Sequence, residues 1–219
     1  MIKLFENDDL YALYKEKARH TLSDKDSSKD DTLCLYRLDE CTSGILVYAK
    51  NEDAFNALKE LQADDKILKT YVAECKENNA SELINPKLRE RFLSRKNTLS
   101  QSPFEVKTYF RPFGAGRKAV RCVFENELEK YKHKDVTKRP YLSKIVDFNN
   151  CVFRVEITKG FRHQIRAHLA TLGFPIVNDT MYGYNNTQGV RSPSIALECV
   201  KVRIGDLTIS MIENNEYLK

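Results

Sequence analysis

The sequence has no tryptophan and no apolar run that approaches the roughly 18 residues of a membrane-spanning helix. Its charged fraction of 31% and mean hydropathy of −0.52 are typical of a soluble protein. The first nine residues lack the apolar segment of a secretory signal peptide and carry acids where such a peptide needs bases. These absences argue against a membrane protein and predict a cytoplasmic one.

Patterns that bind metals or form disulfides are absent too. The cysteines form no C-x-x-C pair and no cluster with histidine, and several lie in apolar runs, where a thiol behaves as a small hydrophobic group. We therefore expect reduced thiols, with no disulfide and no metal site. The six cysteines are Cys34, Cys41, Cys75, Cys122, Cys151 and Cys199.

The length and charge of the chain set broad bounds on its organisation. A chain of 219 residues can bury one substantial core, so we expect a single domain over 1–219. The net charge of +5 permits a polyanionic partner but does not require one. Basic residues cluster at 87–96, 111–121 and 130–139, where a solvated surface and a nucleic-acid contact are equally good interpretations.

Hydrophobic patterning predicts that β-strands dominate the domain. Apolar runs at 33–36 and 44–49 flank the segment around Asp39, whereas the polar stretch from Ser23 to Asp31 is typical of a loop. The remaining runs with strand character are 69–75, 104–110, 120–124, 141–148, 151–157, 194–202 and 207–212.

Two helices interrupt these strands, which makes the fold class α+β. The first is capped by Asn51 or Asp53 and ends near residue 64. The second covers 162–172, which puts Arg162 and Arg166 on one face, where they repel unless an anion lies between them. Residues 76–101 are polar and partly helical, and we expect a peripheral excursion there. Its candidates for packing against the body are Leu83, Ile84, Leu88 and Phe92.

Asp39 is the first candidate for chemistry, since Thr42, Ser43 and Gly44 follow it on a short loop between two buried runs. That setting offers hydroxyl and amide donors to orient a carboxylate, but the same residue types also suit an ordinary turn. Arg166 would keep the carboxylate ionised if folding brought the two together. For His163, His168 and Gln164, structural hydrogen bonds are the simpler explanation.

Three separated segments resemble the motifs of the RluA-type RNA pseudouridine synthases. Residues 37–47 read RLDECTSGILV and match the R-L-D-x-x-T-S-G motif, which A-K-N follows at 49–51. Residues 69–73 read KTYVA and resemble K-x-Y-x-A. Residues 160–169 read GFRHQIRAHL and resemble G-x-x-H-Q-I-R-x-H-L, followed by LGFPIVND at 172–179.

The resemblance implies a pseudouridine synthase fold, with a central mixed, mostly antiparallel sheet flanked by helices. It implies that uridines in ribosomal or transfer RNA are isomerised without cofactor or metal, by a protein that we expect to be monomeric. Asp39, Tyr71 and Arg166 would be the catalytic residues. The residues expected to hold RNA are Arg37, Arg162, His163 and Gln164. We expect no S4 RNA-binding domain, which many relatives carry, because the residues before Arg37 are too few for one.

Several segments depart from the family pattern. The N-terminal residues 1–31 and the middle region 76–140 diverge, and 14–18 read YKEKA instead of a lysine-proline-alanine-glycine segment. Phe161 stands where an arginine is usual, and Arg162 follows it. Tyr36 replaces a histidine, and Leu197 to Cys199 replaces L-H-A. An RNA-binding module with lost catalysis is therefore an alternative, and hydrolytic removal of the base is a third possibility.

Overall fold

The computed structural model describes residues 1–17, 33–131, 135–183 and 194–211. Within these ranges ten strands form a single sheet, with three α-helices beside it. The strands are β1 (Ile2–Glu6), β2 (Leu10–Lys15), β3 (Ser43–Ala49), β4 (Ile67–Glu74), β5 (Phe104–Phe113), β6 (Ala119–Val123), β7 (Tyr141–Asn149), β8 (Val152–Ile157), β9 (Leu197–Ile204) and β10 (Leu207–Ser210). The helices are α1 (Glu52–Ala63), α2 (Pro86–Arg95) and α3 (Gln164–Thr171). Short 3₁₀ helices lie at Lys96–Thr98, Ala115–Arg117 and Glu125–Lys130.

The strand order is β1-β2-β3-β9-β4-β8-β7-β5-β6, and β10 pairs with β9. Each of these pairs is antiparallel except β3 with β9, which run parallel where Ser43 and Gly44 meet Glu198 and Cys199. The predicted α+β class, with a mixed and mostly antiparallel sheet, is confirmed. No helix in the described ranges has both the length and the apolar character needed to cross a bilayer.

Local signals explain where several elements begin. The side chain of Asn51 accepts a hydrogen bond from the Ala54 amide at 2.8 Å, so the predicted cap of α1 is confirmed at this residue. All six cysteines are free thiols in the structure. The predicted strands on either side of Asn51, at 44–49 and 69–75, correspond to β3 and β4.

The N-terminal third corrects the sequence prediction in two places. Strands β1 and β2 were not predicted, although Leu10 and Ala12 alternate with less buried residues along β2. The run at 33–36 is not a strand, and its backbone pairing with β3 consists of a bridge from Cys34 to Tyr48 and one hydrogen bond beside it. The predicted loop from Ser23 to Asp31 lies outside the described residues.

Helix α2 is also closer to the core than the sequence predicted. Phe92 is completely buried, and its ring lies 5.4 to 5.8 Å from four other phenylalanine rings. These partners come from β5, β7, β8 and the segment after α3, and they are Phe104, Phe148, Phe153 and Phe174. The excursion at 76–101 is therefore peripheral only in part, because α2 closes one end of the core.

Lys15, the last residue of β2, ties the sheet to the loop that precedes β3. Its side chain is completely buried, and its ammonium donates to the carbonyl oxygens of Thr42 at 2.6 Å, Glu40 at 3.1 Å and Asp39 at 3.3 Å. Gly44 completes the loop at φ 124°, where an added Cβ would lie 2.4 Å from the backbone of Cys199. Lys15 and Gly44 thus fix the loop that carries Asp39 against the sheet.

We predict that Phe92→Ala lowers the free energy of unfolding by about 3 to 5 kcal/mol, because it removes the ring that the other phenylalanines enclose. Urea denaturation measures this change. Phe55→Ala, on the partly exposed face of α1, is the matched control and should cost less than about 2 kcal/mol. Equal losses in the two variants would contradict the central place of α2 in the core.

We predict that Lys15→Met costs about 3 kcal/mol of stability, since three loop carbonyls would lose their buried donor. Lys66→Met removes an exposed lysine that pairs with Asp64 at 3.2 Å, and it should change stability by less than about 1 kcal/mol. Urea denaturation of both variants tests the prediction, which fails if Lys15→Met is as stable as Lys66→Met.

Candidate active site

Asp39 lies at the start of a turn in which the Thr42 amide donates to its carbonyl oxygen at 3.0 Å. About a quarter of its side chain is exposed, and its Oδ2 accepts from Arg166 Nη1 at 3.2 Å. The expectation that loop hydroxyls orient this carboxylate is wrong. Ser43 donates instead to Glu198, and the buried Thr42 hydroxyl has no hydrogen-bond partner within the described residues.

Arg166 lies in α3, is 5% exposed, and is held between two carboxylates. Its Nε and Nη2 donate to Asp179 at 2.6 and 2.9 Å, while Nη1 is the group that reaches Asp39. Burial lowers the pKa of Arg166, but the hydrogen bonds and charge of Asp179 outweigh this effect and hold the pKa above its usual value. The arginine is therefore a permanent cation beside Asp39.

Asp179 was not predicted as a site residue, although it lies in a segment with a family motif. The one signal was the placement of Arg162 and Arg166 on one helix face, where they would repel unless an anion lay between them. That placement was wrong, because α3 begins only at Gln164 and the two arginines do not share a helix face. Arg162 is exposed, whereas Arg166 is buried, and the anion that Arg166 requires is Asp179.

His163 occupies the left-handed position before α3, at φ 57°, and its Nε2 lies 3.8 Å from Asp39 Oδ2. Its Nδ1 is 3.2 Å from the Tyr182 hydroxyl. Burial lowers the pKa of His163 to about 4, against the opposing effect of Asp39, so the ring is neutral at physiological pH. His163 thus borders the carboxylate without adding charge.

The other two polar residues of this motif make structural hydrogen bonds. Gln164 is 2% exposed; its oxygen accepts from the Phe161 amide, and its nitrogen donates to Leu142 and Ser143. His168 lies between the hydroxyls of Thr108 and Ser143 at 2.9 and 2.8 Å, and burial lowers its pKa to about 3. These contacts anchor α3 on the sheet and leave Gln164 little capacity to bind RNA directly.

Tyr71 projects from β4 into the cleft that Asp39 lines, and only 6% of it is exposed. Burial raises the pKa of Tyr71 well above its usual value, and a hydrogen bond with the Cys199 thiol adds to the effect. Tyr36 also forms a hydrogen bond with the Cys199 thiol. Tyr36 and Cys199 both depart from the family pattern, and in the structure they contact each other. The Tyr36 ring lies 4.8 Å from the buried ammonium of Lys69.

Phe161, a further departure, packs inward. Its ring stacks on Phe110 at 5.1 Å and lies 5.0 Å from Tyr141, so it joins the sheet to the segment before α3. Arg162 then points outward, where its Nη2 donates to the carbonyl oxygen of Arg117 at 3.1 Å. This bond connects the active-site motif to the turn between β5 and β6.

The cleft has a volume of about 1240 Å³ and is lined by Asp39, Tyr71 and Arg166 together. Basic side chains also line it: Arg37, Lys59, Lys118, Arg139, Lys159 and Arg162. Among the described residues, no group of three or more His, Cys, Asp or Glu side chains could hold a metal ion. The predicted site residues therefore meet in one basic cleft, where Gln164 belongs to the wall and its polar atoms are bonded within the protein.

Comparisons with known proteins identify the family of this chain. The family model described as RNA pseudouridylate synthase matches residues 11–171. The tRNA pseudouridine(31) synthase of Saccharomyces cerevisiae is 31% identical over 159 residues, which are 69% of this chain and 36% of that protein. The ribosomal large subunit pseudouridine synthase D of Buchnera aphidicola is 28% identical over 149 residues, 68% of this chain and 38% of that protein.

A solved structure of human RNA Pseudouridylate Synthase Domain Containing 1 superposes with a TM-score of 0.63 at 18% identity. The match covers 99% of this chain and 84% of the human one, and it shows that the fold is shared. The chain spans less than two fifths of the length of the yeast and Buchnera relatives. By the family model and these relatives, the chain belongs to the RNA pseudouridylate synthase family, and its motifs are of the RluA type.

Proposed function

We propose that this chain isomerises uridine to pseudouridine in structured RNA, with Asp39 as its catalytic carboxylate. The observation that carries the proposal is the meeting of Asp39, Tyr71 and Arg166 in one basic cleft, although they are far apart in sequence. The relatives' names point to transfer and ribosomal RNA as substrate classes. We further propose a single catalytic domain that acts as a monomer in the cytoplasm.

The reaction must break the bond between C1′ and N1, turn the uracil, and join C1′ to C5, with loss of the C5 proton. Asp39 can begin this sequence by attacking the sugar or by removing a proton from it, and both routes need the carboxylate form. Arg166 favours that form by its charge and fixes one oxygen by its hydrogen bond. Oδ1 makes no hydrogen bond within the described residues, so it is the oxygen that can react.

Tyr71 supplies the surface on which the base turns. Since burial raises its pKa, the phenol stays protonated at neutral pH, and its ring can pack on a base extruded from the RNA stack. Because the phenol is protonated, its hydroxyl oxygen can accept the C5 proton only if the hydroxyl gives up its own proton at the same time. His163, which is neutral and borders Asp39, closes the cleft from the side of α3.

The exposed basic side chains at the rim of the cleft are suited to bind the phosphates of the RNA backbone. Arg37, Lys118 and Arg162 are exposed, and no carboxylate in the described part of the chain forms an ion pair with them. Lys118 lies in the divergent middle region, at the turn that Arg162 holds through the Arg117 carbonyl. These three residues, with His163, are proposed to hold the phosphates and the vacated strand. Gln164 is proposed to position the wall of the cleft.

We predict that Asp39→Asn keeps the fold and RNA affinity but lowers turnover by about 10³-fold or more, because the amide can neither attack nor accept a proton. Tritium release from RNA labelled at uracil C5 measures turnover, with total RNA from a strain that lacks the gene as substrate. Asp53→Asn, on the exposed side of α1, is the chemically matched control and should retain full activity.

Full activity in Asp39→Asn would overturn the assignment. If the wild-type protein bound RNA but released no tritium, a binding module would explain the fold better. Free uracil in the reaction mixture, detected by chromatography, would indicate hydrolysis of the same glycosidic bond instead.

We predict that Lys118→Ala and Arg37→Ala each weaken RNA binding and reduce the slope of log K against log salt by about 0.7 to 0.9, the value expected for one lost phosphate contact. Filter binding over a salt series measures the slope. Lys144→Ala removes an exposed lysine that pairs with Glu105 on β5, and it should leave the slope unchanged. Unchanged slopes in both rim variants would remove these residues from the RNA surface.

A further inference from the structure

Arg166 divides its donors unequally between two carboxylates. Asp179 receives two hydrogen bonds, from Nε and Nη2, whereas Asp39 receives one, from Nη1 at the longer distance of 3.2 Å. A guanidinium group binds a carboxylate most strongly through two parallel N–H groups. In this site the strong bidentate pair is therefore made with Asp179, which is not the carboxylate that reacts.

Asp179 is fixed from several directions. Its side chain is 1% exposed, and its Oδ1 also accepts from the amides of Met181 and Tyr182 at 3.1 and 3.3 Å. Its own amide donates to the Ile176 carbonyl oxygen, and its carbonyl oxygen accepts from Gly183. Asp39, by contrast, is a quarter exposed, and its Oδ1 has no hydrogen-bond partner in the described part of the chain. Arg166 thus joins a rigid carboxylate to an accessible one.

The orientation of the guanidinium depends on this difference. Because Asp179 engages the Nε edge, the guanidinium is held in an orientation in which only Nη1 reaches Asp39, at Oδ2. Without the Asp179 charge, Arg166 would be free to turn two N–H groups towards Asp39 and engage both of its oxygens. The carboxylate would then remain charged but would have no free oxygen for the sugar.

We propose that Asp179 is a positioning residue that holds Arg166 so that Asp39 is ionised, oriented at Oδ2 and free to react at Oδ1. This inference deepens the proposed function and rests on it, since it assumes that Asp39 is the reacting group. Asp179 itself lies behind Arg166 and acts through it. The prediction is a loss in turnover without a loss in RNA binding.

A double-mutant cycle in the full chain tests this role. Asp179→Asn should lower kcat by about 10²-fold, as expected for a misplaced catalytic group, with KM and RNA affinity within about 3-fold of wild type. Arg166→Lys should lower kcat too, because a lysine cannot make the bidentate pair. In the Arg166→Lys background, Asp179→Asn should change kcat by less than about 3-fold, since no guanidinium remains to be held.

A merely structural role for Asp179, in the turn at 179–183, gives a different pattern. The two losses in kcat would then multiply, and a change in KM would accompany them. Either result overturns the proposal. If Asp179→Asn does not fold, as judged by circular dichroism, Asp179→Glu replaces it in the cycle, because it keeps the charge but shifts the guanidinium. Glu105→Gln, an exposed charge removal on β5, is the control and should behave as wild type.

The Asp39→Asn variant separates this proposal from the assignment of function. If Asp39→Asn is active, the proposed function fails, whatever the cycle shows. Asp39→Asn can be inactive while Asp179→Asn has wild-type kcat, or while its loss in kcat multiplies with that of Arg166→Lys. In either case the proposed function stands and only the role of Asp179 is wrong.

Discussion

One buried cation sets the arrangement of the whole site. Arg166 is 5% exposed, and removing such a charge from water is unfavourable unless carboxylates compensate it in good geometry. Asp179 and Asp39 supply that compensation, and both lie outside α3. The chain must therefore bring the loop of Asp39, helix α3 and the turn at 179–183 together before the cation can be buried, so the contact that stabilises the arginine also assembles the proposed site.

The elements around this contact keep the three segments rigid. Lys15 and Gly44 fix the loop of Asp39 from the side of the sheet, and the hydrogen bonds of His168 with Thr108 and Ser143 fix α3. At the far end of the core, the ring of Phe92 closes the cluster of phenylalanines. Buried polar contacts thus hold the loop of Asp39 and α3 in place, while the phenylalanine cluster around Phe92 holds the far end of the core.

The sequence predicted those parts of the fold and site that local patterns encode. The motif around Asp39, the cap at Asn51 and the alternation of β8 are short-range signals, and each led to the correct element. Asp179 and Lys15 were missed as key residues, and Phe92 was predicted only to pack against the body, because a buried aspartate, lysine or phenylalanine has no local mark that reveals its partners. Arg162 was misplaced for a related reason, since helical spacing does not show that His163 adopts a left-handed conformation and that α3 starts after it.

The parallel contact between β3 and β9 has a consequence for how the protein is made. Gly44 meets the backbone of Cys199 across more than 150 residues of sequence, and β9 also pairs with β4 at the centre of the sheet. Contacts of such long range form late, because the entropy of closing the intervening loop must be overcome first. During synthesis on a ribosome, the loop of Asp39 would emerge early but would lack its neighbouring strand until residues 197–204 had followed. The cleft of a nascent chain would thus be incomplete until residues 197–204 had left the exit tunnel.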